Sequence, residues 1–237
     1  MISAPRGRFQ FSADRKSEGA HGSGLMASVE QFSSLIADRL QRDADRIRTD
    51  WAEQPTDRAR HFMVDDLLPE EHARIIAENF PKDGAFWRTL NSFRESKKTF
   101  AKLDALDRVI ANITDAFHQS DVLGAIEDIT GISGLEADPS LYAGGISLMQ
   151  QGDFLNPHLD NSHDADRRRY RRLNLLYYVT PDWSLKNGGN LELWDARVTS
   201  PLEIASSFNR LVVMETNKTS WLSLVFLPRI FSQMATV

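Results

Sequence analysis

Between Ala27 and about Trp51 the apolar residues Val29, Phe32, Leu35, Ile36 and Leu40 recur at spacings of three and four, which lays them along one face of an amphipathic helix. His61–Val64 reads as a short strand. Leu68-Pro69-Glu70-Glu71 then opens a second helix, with proline near the first turn and acidic residues at the positive end, running to about Pro81. A third helix is predicted from about Asp104 to Ile129, carrying Leu106, Val109, Ile110, Ile113, Phe117, Val122 and Ile126 and stopping at Gly131. Beyond Asp138 the texture changes to short β-like runs broken by Gly, Pro, Asn and Asp: Ser140–Gln150, Arg172–Thr180, Asn190–Trp194, Leu202–Ala205, Arg210–Glu215 and Ser220–Leu227. Helices first and strands later predict an α+β fold, an antiparallel roll covered by helices on one side.

With 237 residues, the chain suits one well-buried domain with an N-terminal extension. The expected organisation is a flexible leader over 1–25, a helical portion over 26–137 that packs on the core, and a roll over 138–237. An apolar fraction of 41% and a charged fraction of 26% are ordinary for a globular chain. There is no apolar run of about 18 residues and no export core near Met1, so the expectation is a cytoplasmic protein without a membrane partner. The chain has no cysteine, which excludes disulfides, thiolate nucleophiles and cysteine-ligated clusters and leaves His and carboxylates as the strong metal donors. A net charge of -5 argues against sequence-independent binding to nucleic acid. The local run Arg167, Arg168, Arg169, Arg171 and Arg172 reads more simply as a solvated turn before a strand than as an anion site.

The candidate chemistry lies in the β half. In Gly152-Asp-Phe-Leu-Asn-Pro-His158-Leu159-Asp160 an imidazole and a carboxylate stand two residues apart, on one face of an extended strand. Together with a second histidine they would form the 2-His-1-carboxylate facial triad that leaves iron(II) open positions. By itself His-x-Asp is a weak signal that a solvated turn also explains.

Its surroundings add to it. Tyr170-Arg-Arg-Leu-Asn-Leu-Leu-Tyr-Tyr-Val179 follows as a buried-type strand, Thr180-Pro-Asp-Trp183 as a turn, and Asn187-Gly-Gly-Asn-Leu-Glu-Leu-Trp-Asp195 as a Gly-Gly turn leading into another strand. This order resembles the prolyl-4-hydroxylase-like branch of the iron(II)- and 2-oxoglutarate-dependent dioxygenase superfamily over roughly residues 140–221. The resemblance implies a double-stranded β-helix, or jelly-roll, core. It implies Fe(2+) held by His158 and Asp160, with 2-oxoglutarate as co-substrate, ascorbate as a supporting reductant, and dioxygen acting on a small-molecule or peptidyl substrate. Asn174 becomes a candidate polar group toward the co-substrate. Gln150 or Gln151 stands where relatives carry Tyr or Arg, although ordinary strand hydrogen bonding explains all three as well. Of the adjacent Tyr177 and Tyr178 only one can face inward, and core packing is the simpler role. Gly188-Gly189 needs only a tight turn at positive φ, and Trp194 is expected in the core or on a pocket wall.

The pattern breaks near the end of the chain. The resemblance leads to Ser-Trp-His-Ser for the second metal histidine, and here the residues are Ser220-Trp221-Leu222-Ser223, with no histidine after His163. Leu222 has no lone pair to offer a metal. Arg229 is the only basic residue left to pair with the far carboxylate of 2-oxoglutarate, at an odd spacing from Leu222 and after Pro228. Little chain follows for closing strands, so an exposed edge at Leu224–Leu227 is expected. The leading expectation is a dioxygenase whose turnover is impaired as encoded. Two alternatives stay open, a non-catalytic jelly-roll binding protein and a metal hydrolase using His158, Asp160 and His163.

Overall fold

A computed structural model describes residues 27–138, 140–142, 144–160, 163–164, 166–224 and 231–236, the last six by backbone alone. The expected leader over 1–25 lies outside the described residues, as do Val225, Phe226, Leu227 and Arg229.

The N-terminal layer is helical. α1 (Val29–Arg42) starts at Ser28, whose side chain accepts from Gln31 N–H while Gln31 closes the reciprocal bond, a capping box that satisfies two otherwise orphaned donors. It is followed by α2 (Ala44–Ala52), β1 (His61–Val64) and α3 (Glu70–Asn79), the last opening after Pro69 on two glutamates. The single helix expected over 104–129 is two, α4 (Arg108–Ala116) and α5 (Ser120–Thr130). Phe117 and Val122 stand five residues apart, which breaks the three-and-four rhythm, and each helix buries its own apolar set. α5 stops at Gly131, left-handed at φ 70.

The segment read as helical also supplies strands: besides β1, a hairpin of β2 (Arg88–Asn91) and β3 (Glu95–Phe100) enters the sheet. Its sequence, Arg-Thr-Leu-Asn and Glu-Ser-Lys-Lys-Thr-Phe, is too polar to carry an alternating signal. The remaining strands are β4 (Gly145–Met149), β5 (Phe154–Leu159), β6 (Leu173–Tyr178), β7 (Leu191–Trp194), β8 (Pro201–Ile204), β9 (Arg210–Glu215), β10 (Trp221–Leu224) and β11 (Phe231–Thr236).

All pairings are antiparallel, in the order β1-β9-β6-β11-β4-β3-β5-β10-β7-β8. β3 joins the two halves of this roll, pairing Lys98 with Leu148 of β4 and Glu95 with Leu155 of β5. The expected open edge at Leu224 is not found, because β10 pairs with β5 on one side and β7 on the other.

Alternation along β6 sorts its side chains into two cores. Leu173, Leu175 and Tyr177 pack with the helices, Tyr177 lying 5.9 Å from the Phe117 ring. Leu176 and Tyr178 point the other way, into the roll with Leu191, Leu193, Leu222 and Leu224.

Candidate metal centre inside the roll

β5 is not a regular strand. Against β10 its register runs Leu222 to His158 and Leu224 to Leu155, so Asn156 and Pro157 together oppose Ser223. This β-bulge has a consequence for the site. Simple alternation from the buried Leu155 would turn His158 outward, and one extra residue re-aims it inward with Asp160 two positions on. Pro157 is tolerated because a bulge removes the need for a ladder N–H.

His158 is buried, with Nδ1 2.9 Å from the Asn156 carbonyl and Nε2 3.2 Å from Asp160 Oδ1. Two donor atoms about 2.1 Å from one first-row divalent ion, at right angles, stand about 3.0 Å apart, so these two atoms sit as adjacent ligands would. Asn174 of β6 donates from its amide to the other oxygen of Asp160. Burial raises the Asp160 pKa, but the His158 hydrogen bond and charge, the nearby Arg171 guanidinium and the Asn174 hydrogen bond outweigh it and hold the carboxyl below its ordinary value. Asn174 Oδ1 is buried and unpartnered among the described residues. As an acceptor it cannot pair with a 2-oxoglutarate carboxylate, so through that atom the residue can only take a donor such as water.

The third position is filled by carbon. Leu222, 5% exposed, is the cross-strand partner of His158, and among the described residues no group of three His, Asp or Glu side chains could hold a metal. His163 is not brought to the pair: it bridges to Tyr170, their rings 4.6 Å apart. The described residues therefore fit two ligands of a facial triad and do not fit the complete iron site. Gln150 and Gln151 lie in the turn between β4 and β5, at the opposite end of β5 from Asp160, with Gln150 N–H donating to Asp153. Tyr178 faces the roll while Tyr177 faces the helices. Gly188 and Gly189 adopt φ 72 and 63 in the expected turn. Trp194 donates to Ser223 Oγ on β10, at 2.8 Å.

A rolled antiparallel sheet with an imidazole and a carboxylate re-aimed by a bulge into its interior is a jelly-roll fold that carries a candidate metal pair. Residues 144–222 match the family described as the 2OG-Fe(II) oxygenase superfamily. A Pseudomonas putida prolyl-4-hydroxylase has a similar structure, with a TM-score of 0.61 at 16% identity over 81% of this chain and 96% of that one. A prolyl hydroxylase from Trichoplax adhaerens, solved with a hypoxia inducible factor oxygen degradation domain peptide fragment, gives 0.55 at 12% identity over 88% and 89%. A Phytophthora capsici prolyl 4-hydroxylase structure gives 0.50 at 15% identity over 93% and 68%. No curated protein sequence matches the chain. The family match covers residues 144–222, about a third of the chain, and the solved prolyl hydroxylases share its fold.

Proposed function

We propose that this chain is a prolyl-hydroxylase-like member of the superfamily, an Fe(II)- and 2-oxoglutarate-dependent dioxygenase of peptidyl or small-molecule substrates by descent, whose turnover as encoded is impaired. The observation that carries the reading is the register of β10 on β5, which sets Leu222 directly across from His158. His158 and Asp160 supply two metal donors, and Asn174 steadies Asp160. The isobutyl group of Leu222 supplies apolar wall in place of a third donor. The peptide in the Trichoplax structure supports a peptidyl substrate class.

A second reading, a binding protein without catalysis, draws support from the way Asp160 is already engaged on both oxygens, by His158 and Asn174. Anaerobic titration of iron(II) and 2-oxoglutarate into the native chain and a Leu222→His variant separates the two. The impaired-oxygenase reading expects the visible charge-transfer band, and succinate formation in air with ascorbate present, to be much stronger in the variant. Full-strength signals from the native chain would overturn the claim of impairment. Silence from both proteins, each folded, would leave the binding reading standing.

A further inference from the structure

A sizeable cavity among the described residues lies away from the metal pair. It occupies about 640 Å³ between α4, α5 and the start of β6, within the range of small-molecule sites. Its β6 contribution is Leu173 and Leu175, whose side chains belong to the helix-facing core, whereas Asn174 between them points into the roll. His158 and Asp160 are not among the residues lining this space, although Arg171 on its wall lies near enough to Asp160 to lower that carboxyl's pKa.

The walls are of two kinds. Phe117, Leu123, Ile126 and Leu135 with the two β6 leucines make one side apolar. The other is the arginine run, in which Asp164 accepts from the backbone N–H groups of Arg168 and Arg169 and so shapes the turn. The carboxylates of this wall are largely engaged: Asp138 accepts from Ser140 N–H, Ser140 Oγ and Tyr142 N–H, and Glu136 is paired with Arg169 at 2.9 Å. Two wall residues retain hydrogen-bonding nitrogens that are shielded from water and unpartnered among the described residues, Arg171 Nε and His118 Nε2. Arg171 spends only Nη2, on the Tyr142 carbonyl at 2.7 Å. A half-buried guanidinium with an unpaired Nε–H favours a planar anion, and an apolar chamber beside it favours a hydrocarbon body.

We propose that this cavity is a second ligand site, separate from the oxygenase centre, for a monocarboxylate with an aliphatic or aromatic body. The carboxylate pairs with Arg171, His118 lies beside it, and the body lies along Leu123, Ile126 and Leu175. This assignment stands whether or not the metal pair supports turnover.

Isothermal titration of the full chain with octanoate, phenylacetate, acetate and octanol tests it. The expected result is one saturable site for octanoate or phenylacetate, with acetate and octanol at least tenfold weaker. Arg171→Gln should weaken binding at least tenfold, and Leu123→Trp, which fills the chamber at a half-buried position, should do the same in a protein that keeps its circular dichroism. Added 2-oxoglutarate should not compete. Four results would each overturn the proposal: no saturable binding, acetate binding as tightly as octanoate, affinity unchanged by Leu123→Trp, or displacement by 2-oxoglutarate.

Discussion

Asn209 ties the helical layer to the sheet, and its replacement should separate two contributions. The residue is buried and left-handed, with φ 60. Its Oδ1 accepts from Leu68 N–H at 3.1 Å and from the Tyr177 hydroxyl at 2.9 Å, and its Nδ2 donates to the Leu68 carbonyl at 2.7 Å. Burial raises the Tyr177 pKa, so this hydroxyl stays a donor. Asn209→Ala orphans three buried groups at about 1–3 kcal/mol each where water cannot reach them, and leaves in a left-handed backbone a residue without the amide that eases that conformation for Asn, at a further cost of up to about 1–2 kcal/mol. Partial relaxation brings the expected total to about 4–6 kcal/mol, a large share of the roughly 5–15 kcal/mol that holds a domain folded. Asn209→Gly loses the same hydrogen bonds without the left-handed penalty and should be about 1–2 kcal/mol more stable than the alanine variant. Tyr177→Phe removes one partner and should cost only about 1 kcal/mol. Urea unfolding followed by tryptophan fluorescence measures all three. An alanine variant at least as stable as the glycine variant would refute the backbone part of the reasoning, and a Tyr177→Phe loss equal to that of Asn209→Ala would refute the hydrogen-bond part.

Gly145, at φ +94, stands where a Cβ would lie 2.4 Å from the Phe100 carbonyl oxygen across β3–β4; Gly145→Ala should cost about 2–4 kcal/mol, while Gly124→Ala in α5, with nothing within 4 Å, should gain about 0.5–1 kcal/mol, and the reverse order of thermal midpoints would contradict this. Burial lowers the pKa of His61 and of His118 from 6.5, against the Ala59 carbonyl in the first case and Asp115 and Asp138 in the second. The unfolded chain then binds protons that the folded chain refuses, so stability should fall as pH drops through about 6.5 and level off below the folded values. His61→Asn should flatten that slope in a series of urea titrations, and an unchanged slope would remove His61 from the account.

Much of this was legible in the order of residues. The rhythm of Phe32, Ile36 and Leu40, the proline and glutamates ahead of α3, and Gly131 after α5 each act locally, so they marked their elements directly. The buried run Leu173–Tyr178 and the Gly188-Gly189 turn were readable for the same reason, and with His158 and Asp160 they carried the family resemblance. That Leu222 offers a metal nothing is a property of its side chain alone. Other features depend on pairing between distant segments. The β2–β3 hairpin is polar and owes its strand state to hydrogen bonds with β4 and β5. The inward turn of His158 depends on a bulge opposite Ser223, which exists only once β10 lies against β5. Alternation showed that Tyr177 and Tyr178 part company, but only the packing of α4 on one face of β6 decided which of them faces the helices. The cavity beside Arg171 is likewise invisible along the chain, because α5, the loop after Gly134 and the arginine turn meet there only when the helices close over the sheet. Local covalent chemistry set the elements and the donors, and long-range hydrogen bonding and burial decided which way those donors point.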